Sequence, residues 1–321
     1  MPQIINVNDQ MSQALEIRWD QGEQEINDPN VWKESGIARE VNMPTTGGKV
    51  PRVGSGHHIV PWSGTRMVQG ISYSEYTWAA QKFESTLGID RDDMTNLSHW
   101  GNLFDGVQAM GAAKARFRND ITFGFLEASL AANTYTYTKL GQSSDPFNTR
   151  GYDNQRLFST THPNGSGRGS GTAISNIDAS GSGNPYWYLV DDRAVPAILI
   201  GKFRKFDFYE YTAENSVLVD NNRKWGQDGR FALAAGDYRS IYASSLPLTI
   251  DNLKAAILAM GAWQNEDGTP ANIRPSRLVI PTALQFDAKE ALKSRVGGGD
   301  DNVMQGSVQP YVVPYLSATA A

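Results

Sequence analysis

The sequence predicts an α+β fold in which one long helix is combined with aromatic strands. Three observations lead to this prediction. A helical pattern spans about residues 98–133, β-branched and aromatic residues recur at near-alternate positions in several segments, and two shorter helical segments follow most of these strands. The 321 residues suffice for two compact lobes, because a single core rarely grows beyond about 250 to 300 residues.

The first 50 residues are polar, with eight acids against four bases. They contain no basic stretch followed by an apolar one, so we expect no secretory signal. Trp19 and Trp32 nevertheless belong to a larger set of apolar side chains than a solvated tail needs. We therefore expect an arm that docks on another surface.

The following segment, 51–93, has a strand-like composition. Residues 65–71 and 75–83 are rich in β-branched and aromatic side chains, which predicts a long hairpin. An isolated two-stranded hairpin is only marginally stable in water. We expect it to lie against another surface, in this subunit or in the next.

The helix over 98–133 is the strongest local prediction. Its apolar residues fall largely on one side at helical spacing: Trp100, Leu103, Phe104, Val107, Met110, Phe117, Ile121, Phe125 and Leu126. Ser98 is a suitable N-cap. At 1.5 Å per residue the helix would be roughly 50 Å long, so we expect it to form a spine across the subunit.

The rest of the chain reads as short strands, loops and two helices. A Gly/Ser-rich stretch at 163–185 predicts a mobile surface loop. Helices are predicted at 248–260, with Thr249 as N-cap, and at 282–294. Strands are predicted at 135–137, 156–160, 186–190, 197–200, 204–211, 216–219, 230–242, 277–280 and 309–315.

Composition limits the classes of partner. The formal charge of −5 and the pI near 5.5 argue against a surface that neutralises phosphates. Cysteine is absent, which excludes disulfides and Cys-ligated zinc and suits a reducing cytoplasm. The longest apolar stretches fall far short of the ~20 residues that cross a bilayer, so we expect no membrane association.

Motifs for catalysis or metal binding are missing from the sequence. There is no phosphate-binding loop, no G-x-S-x-G turn and no H-E-x-x-H pair. We expect no enzymatic activity, no cofactor and no metal. Two alternatives stay open: a hydrolase that uses His162 with Asp191 or Asp192, and a decoration or glycan-binding module that uses the aromatic strands.

Several ordered blocks resemble the Mu-like prophage major head subunit family over about residues 15–315. They are KFESTLGIDRDD at 82–93, RLFSTTHP at 156–163, YWYLVDDRAVPAILIGKFRKFDF at 186–208, WGQDGRFALAAGDYRSIYAS at 225–244, LTIDNLKAAILAM at 248–260 and SRLVIPTAL at 276–284. The family usually has an acidic D-T-D-H-P run where this chain has Ser159, Thr160, Thr161, His162 and Pro163. Any role of those acids therefore does not carry over.

The resemblance implies a Hong Kong 97-type phage capsid fold, which has an N-terminal arm, a hairpin called the E-loop, a peripheral P-domain and an axial A-domain. The expected boundaries are an arm at 1–60, an E-loop at 61–92, a P-domain at 93–140 with the spine helix at 98–133, an A-domain portion with the Gly/Ser loop at 141–202, P-domain strands at 203–245 and an A-domain at 246–321.

The implied function is that of a major capsid protein of a tailed bacteriophage, which self-assembles through hexamers and pentamers into an icosahedral shell around the genome. Expected partners are other copies of the chain, a portal, a scaffold or maturation protease, possible cement proteins and packaged double-stranded DNA as a non-specific neighbour. The expected location is the virion capsid, assembled in the host bacterial cytoplasm. The predicted assembly interface comprises Trp19, Trp32, Trp62, Tyr73, Tyr76, Trp78, Asp90, Arg91, Asp92 and Asp93.

Overall fold

Two β-sheets, one long helix and several shorter helices form the chain, as seen in a computed structural model. The structure describes residues 7–53, 59, 62, 73–90, 100–163, 173–193, 195–211, 222–265, 268–293 and 302–318. Most of their buried apolar side chains belong to a single continuous core.

The elements of the first half surround the long helix. In chain order they are α1 (Val7–Gln24), α2 (Val31–Glu34), β1 (Ala38–Asn42), β2 (Gly47–Val53), β3 (Tyr73–Ala79), β4 (Gln81–Asp90), α3 (Trp100–Ala131), β5 (Thr134–Tyr135), β6 (Thr138–Lys139), β7 (Gln142–Ser143) and β8 (Phe147–Asn148).

The second half contains the longest strands. It consists of β9 (Ile177–Asp178), β10 (Trp187–Val190), β11 (Ile198–Tyr211), β12 (Asn222–Ala235), a 3₁₀ turn (Tyr238–Ser240), β13 (Ile241–Ser244), α4 (Ile250–Gly261), β14 (Arg277–Pro281), a 3₁₀ turn (Thr282–Leu284), α5 (Gln285–Ala291) and β15 (Gln309–Val313).

The spine lobe consists of α3 and a four-stranded sheet in the order β1-β11-β12-β4. β11 and β12 are antiparallel over 14 residues each, and β4 adds to β12 in antiparallel register. Phe117 of α3 lies at the centre, with its ring 4.7 Å from Phe83, 5.2 Å from Phe206 and 5.3 Å from Phe231. Aromatic contacts from three strands therefore hold the long helix on this sheet.

The second lobe is built on a five-stranded sheet in the order β15-β14-β10-β13-β9. Every residue of β10 is buried, and Leu278, Val279 and Ile280 of β14 have no exposed surface. Strands buried in this way need cover on both faces. Leu253 and Met260 of α4 belong to the same core and supply part of that cover.

Several predicted elements are confirmed. The helix predicted at 98–133 spans Trp100–Ala131, and the one predicted at 248–260 spans Ile250–Gly261. Thr249 caps the latter, since its hydroxyl accepts a hydrogen bond from the backbone N–H of Asn252 at 3.3 Å. The helix predicted at 282–294 begins as a 3₁₀ turn and continues as α5.

Other predicted elements differ from the structure. The strands predicted at 197–200 and 204–211 form one strand, β11, whose register against β12 shifts on both sides of Arg204. Residues 156–160 form no strand, and Arg156 makes an isolated bridge with Arg150. The predicted strands at 65–71 and 216–219, and residues 164–172 of the Gly/Ser stretch, lie outside the described residues.

Sheet membership also differs from the expected domain boundaries. Residues 198–202 belong to β11 and therefore to the spine lobe, although we expected them to belong to the A-domain portion at 141–202. β13 pairs with β10 in the second lobe, although we expected residues 203–245 to stay with the spine. The strand predicted at 230–242 ends at Ala235, and the 3₁₀ turn after it carries the chain into the other sheet.

Candidate assembly surfaces

The N-terminal helix α1 packs directly on the spine helix of the same chain. The two helices meet at glycines, one from each. A β-carbon on Gly22 would overlap the carbonyl oxygen of Gln108, and a β-carbon on Gly111 would overlap the carbonyl oxygen of Trp19. The backbones are therefore in contact at this crossing, which only residues without a side chain permit.

A buried chain of hydrogen bonds adds to this crossing. The indole N–H of Trp19 donates to the side-chain oxygen of Gln227 at 2.7 Å, and the Gln227 amide donates to the Met110 carbonyl oxygen at 2.8 Å. The ammonium group of Lys114 lies 3.7 Å from the centre of the Trp19 ring and 2.6 Å from the Glu23 carboxylate. Since the hydrogen bonds from Trp19 to Gln227 and from Gln227 to Met110 are buried, they favour one position for α1.

Trp32 is held in a similar way next to α3. Its backbone N–H donates to the side-chain oxygen of Asn119 at 2.9 Å, and the Asn119 amide donates to the Pro29 carbonyl oxygen at 3.3 Å. Trp19 and Trp32 are only 6% and 5% exposed in the single chain. Both predicted interface residues thus belong to the core of their own subunit, so a neighbouring copy has almost no surface of either to cover.

The hairpin is formed by β2 and β3, which pair from Gly47↔Ala79 to Val53↔Tyr73 and make a separate two-stranded sheet. Its first strand lies in the segment 1–60 that we expected to be arm, ahead of residue 61, where we expected the E-loop to begin. The pattern misled because Gly47, Gly48 and Pro51 are poor strand formers, and pairing with the aromatic β3 overrides that preference.

Trp78 forms a contact between the base of the hairpin and the spine lobe. A β-carbon on Gly201 of β11 would be 2.9 Å from the Trp78 ring and would overlap the Met43 sulfur. The Trp78 indole nitrogen would also be 3.6 Å from a β-carbon on Gly48. The missing side chain at Gly201 therefore leaves space for Trp78 and Met43.

The other predicted interface residues fall into three groups. Trp62, in the connection between β2 and β3, is 72% exposed, and Ile59 is fully exposed. Tyr73 and Tyr76 are residues of β3 and pair with Val53 and Val50. Asp90 ends β4 opposite Asn222, whereas Arg91, Asp92 and Asp93 lie outside the described residues.

A cluster of charges fastens β1 to the spine. The Glu40 carboxylate is 2.7 Å from the Arg118 guanidinium and 2.5 Å from the Lys202 ammonium. Burial opposes ionisation of Glu40, but its bonds to Lys202 and Arg118 outweigh burial and hold its pKa below the ordinary value. The cluster joins β1, β11 and α3.

The histidine and acids of the hydrolase alternative do not meet. His162 is fully buried, with Nδ1 2.6 Å from an Asp153 oxygen and its ring stacked on Tyr238 at 3.9 Å. Asp191 binds Arg193, and Asp192 accepts bonds from Ser276 and Arg277. The structure therefore does not bring together the histidine and the aspartates that the hydrolase alternative combined.

The two aspartates serve structural ion pairs. Burial opposes ionisation of Asp191, yet hydrogen bonds from Arg193 and from the backbone N–H of Arg274 keep its pKa below the ordinary value. The Ser276 hydroxyl, followed by Arg277, likewise lowers the pKa of Asp192. Within the described ranges, no three His, Asp or Glu side chains cluster as metal ligands, and no helix is both long and apolar enough to span a membrane.

The sequence analysis did not identify the glycines at which other parts of the chain pack closely, nor the groups that pack there. Gly22, Gly111 and Gly201 interrupt helix or strand patterns, where glycine costs roughly 0.5 to 1 kcal/mol relative to alanine. Such a cost is itself a signal of close backbone approach. The identity of the approaching group, α1 in one case and Trp78 in the other, depends on contacts between residues far apart in the chain.

Comparison with known proteins gives concordant results. The profile of the Mu-like prophage major head subunit gpT family matches residues 9–316. The major capsid protein of Escherichia phage Mu is 28% identical over 293 residues, which cover 87% of this chain and 90% of that protein.

Solved capsid structures are similar over most of the chain. The procapsid of bacteriophage JBD30 aligns with a TM-score of 0.73 at 23% identity, covering 97% of this chain and 99% of that one. The JBD30 capsid decorated with minor capsid protein trimers aligns with a TM-score of 0.69 at 21% identity, covering 88% of this chain and 90% of that one.

The spine helix, the hairpin and the two lobes, together with these structural matches, define a Hong Kong 97-type α+β fold. The chain belongs to the Mu-like prophage major head subunit gpT family and is a major capsid protein of a tailed phage, a component of the virion capsid. The Hong Kong 97-type fold and the role of major capsid protein that the resemblance implied are confirmed.

Proposed function

We propose that this capsid subunit assembles through hexamers and pentamers into a closed icosahedral shell around packaged DNA, and that it performs no catalysis of its own. The observation that carries the proposal is the hairpin β2–β3. It is a separate two-stranded sheet, contacts its own subunit at its base through Trp78, and bears the exposed Trp62 in its connection. A hairpin of this kind gains stability when a neighbouring subunit covers it.

The hairpin is the E-loop in this proposal. Its limits are 47–79 rather than the 61–92 expected from the sequence pattern, and β4 continues into the spine lobe. The spine lobe corresponds to the P-domain. The five-stranded sheet with α4 and α5 corresponds to the A-domain, which lies near the capsomer axis.

The set of residues proposed for the assembly interface is smaller than the set predicted from the sequence. Trp62, Tyr73, Tyr76 and Trp78 remain the proposed aromatic contacts, because large aromatic side chains dominate interface energetics. The acidic residues Asp90, Asp92 and Asp93 and the adjacent Arg91 remain proposed polar contacts. Trp19 and Trp32 leave the set, since their own subunit already buries them.

The proposed partners are further copies of the chain, a portal, a scaffold or maturation protease, and cement proteins. The JBD30 capsid is decorated with minor capsid protein trimers, and this similarity supports a cement-type partner here. DNA is proposed as a non-specific neighbour only, because the net charge of −5 does not favour phosphate binding. The absence of cysteine is compatible with assembly in the reducing host cytoplasm.

Electron microscopy tests the proposal. The protein would be expressed alone and with its neighbouring phage genes, then analysed by negative stain and light scattering. We expect closed shells, or hexamers and pentamers. A small monodisperse species under both conditions would contradict the proposal; binding of that species to preformed particles would indicate a decoration protein, and hydrolytic turnover would indicate an enzyme.

A further inference from the structure

Helix α5 of the second lobe separates two grooves of opposite charge. On one side, the acidic groove has a volume of about 620 Å³, and its charged lining comprises Asp251, Asp287, Glu290 and Lys293. On the other side, the basic groove has a volume of about 750 Å³, and its charged lining comprises Arg193, Arg274 and Lys289. The linings therefore carry net charges of opposite sign.

Most of the acidic charge is not neutralised within the chain. Glu290 pairs with Lys293 at 3.0 Å. Asp251 and Asp287 are exposed and make no ion pair with any residue that the structure describes. Each lies in the first turn of its helix, where the helix dipole favours negative charge. The two carboxylates are exposed and remain available to an outside partner.

Most of the positive charge of the basic groove is likewise not neutralised by residues that the structure describes. Arg193 pairs with the buried Asp191 at 2.8 Å, which uses one of the three positive charges. The side chains of Arg274 and Lys289 are exposed and have no carboxylate partner in the described part of the chain. The Lys289 ammonium lies 5.3 Å from the centre of the Phe286 ring, and Phe286 is 74% exposed.

The two grooves cannot neutralise each other within one subunit, because α5 lies between them. Residues 287, 290 and 291 line the acidic groove, whereas residues 288, 289 and 292 line the basic one. Two complementary surfaces at different places on one subunit form head-to-tail contacts between copies, and such contacts generate a ring when the rotation from one copy to the next closes.

We propose that the charged surface around the acidic groove of one copy contacts the charged surface around the basic groove of the next copy in the capsomer ring. The occupant of each groove is therefore a second copy of this chain, and exposed Phe286 supplies an aromatic contact between the charged surfaces. Long charged side chains tolerate the difference of about 12° per subunit between five-fold and six-fold rings. This inference rests on the assembly function proposed above and assigns it a contact surface.

Charge reversal tests the pairing. The acid-reversed variant carries Asp251→Lys and Asp287→Lys, and the base-reversed variant carries Arg274→Glu and Lys289→Glu. Each variant alone has two grooves of like sign, so we expect its yield of capsomers and shells to fall by about tenfold or more. A variant with all four substitutions regains opposite grooves and should assemble as the wild type does.

A mixture of the two variants gives the sharpest outcome. Alternating copies bring opposite charges together at every contact of a six-membered ring, whereas a five-membered ring must contain at least one contact of like charge. We therefore expect the mixture to form hexameric rings without closed shells, as seen by electron microscopy. The matched control is Glu16→Lys with Asp20→Lys on α1, which changes the net charge equally in the other lobe and should leave shells intact.

Thermal melts show whether each variant folds. Where the new lysines lower the melting temperature, Asp251→Asn with Asp287→Asn replaces them, and a smaller loss of assembly is expected. The groove pairing would be overturned if the acid-reversed and base-reversed variants assembled as well as the wild type. Failure of the folded four-substitution variant to assemble would also overturn it. Failure of the wild type to assemble would instead overturn the proposed function.

Discussion

The N-terminal helix α1 and the hairpin β2–β3 both precede the spine, and both were expected to reach neighbouring subunits. α1 is tied to its own subunit by backbone contact at Gly22 and Gly111 and by the buried hydrogen bonds of Trp19. The hairpin contacts its own subunit through Trp78 at its base, and Trp62 in its connection is exposed. Aromatic content alone therefore does not identify an assembly contact; burial within the single chain separates the two cases.

Shortening the hairpin should produce the largest effect. Replacement of residues 54–72 by a short Gly/Ser turn keeps β2, β3 and the Trp78 contact. We expect folded subunits with an unchanged melting temperature but no closed shells in negative-stain images, because the surface offered to the neighbour is lost. Normal shells from this variant would contradict the assignment of the hairpin as the E-loop.

A side chain at the helix crossing should affect the stability of the subunit. Gly111→Ala places a methyl group against the Trp19 carbonyl, so we expect a loss of about 1 to 3 kcal/mol from overpacking, measured by urea denaturation. Gly101→Ala is the matched control in the same helix, where a β-carbon meets nothing within 4 Å. It should change the stability by less than about 0.5 kcal/mol, because Gly101 is exposed in the first turn of the helix. Equal effects at the two positions would contradict the close crossing.

The base of the hairpin is tested by Gly201→Ala. The added methyl group would collide with Met43 and Trp78, and we expect a cost of about 1 to 2 kcal/mol in urea denaturation. In a Met43→Ala background, the further cost of Gly201→Ala should be smaller than in the wild type, because the shorter side chain makes room. Additive effects of the two changes would show that Gly201 and Met43 do not share this site.

The smallest effect concerns the charges that fasten β1. Because the folded-state pKa of Glu40 is lowered, its ionised form stabilises the protein above the unfolded pKa near 4.3, and this contribution is lost as the pH falls through the folded value. We expect Glu40→Gln to lower stability by about 1 kcal/mol at pH 7. The difference should narrow below about pH 4 in chemical denaturation; a constant difference would contradict this pairing.

The sequence predicted elements that depend on local spacing better than those that depend on distant partners. The spine helix and the Thr249 cap follow from residues a few positions apart, and both are present. The separation of β12 and β13 into different sheets depends on β4 and β10, which lie far away in the chain. For the same reason, the aromatic pattern could not distinguish the buried Trp19 from the exposed Trp62.

Hydrogen exchange on free subunits and on assembled shells tests the contrast between α1 and the hairpin most directly. Amides of α1 should exchange slowly in both samples, because the helix is already packed on the spine. Amides of β2 and β3 should slow by about tenfold or more on assembly, because a neighbouring subunit then covers this two-stranded sheet. Equal exchange of the hairpin in both samples, or strong new protection confined to α1, would contradict the account.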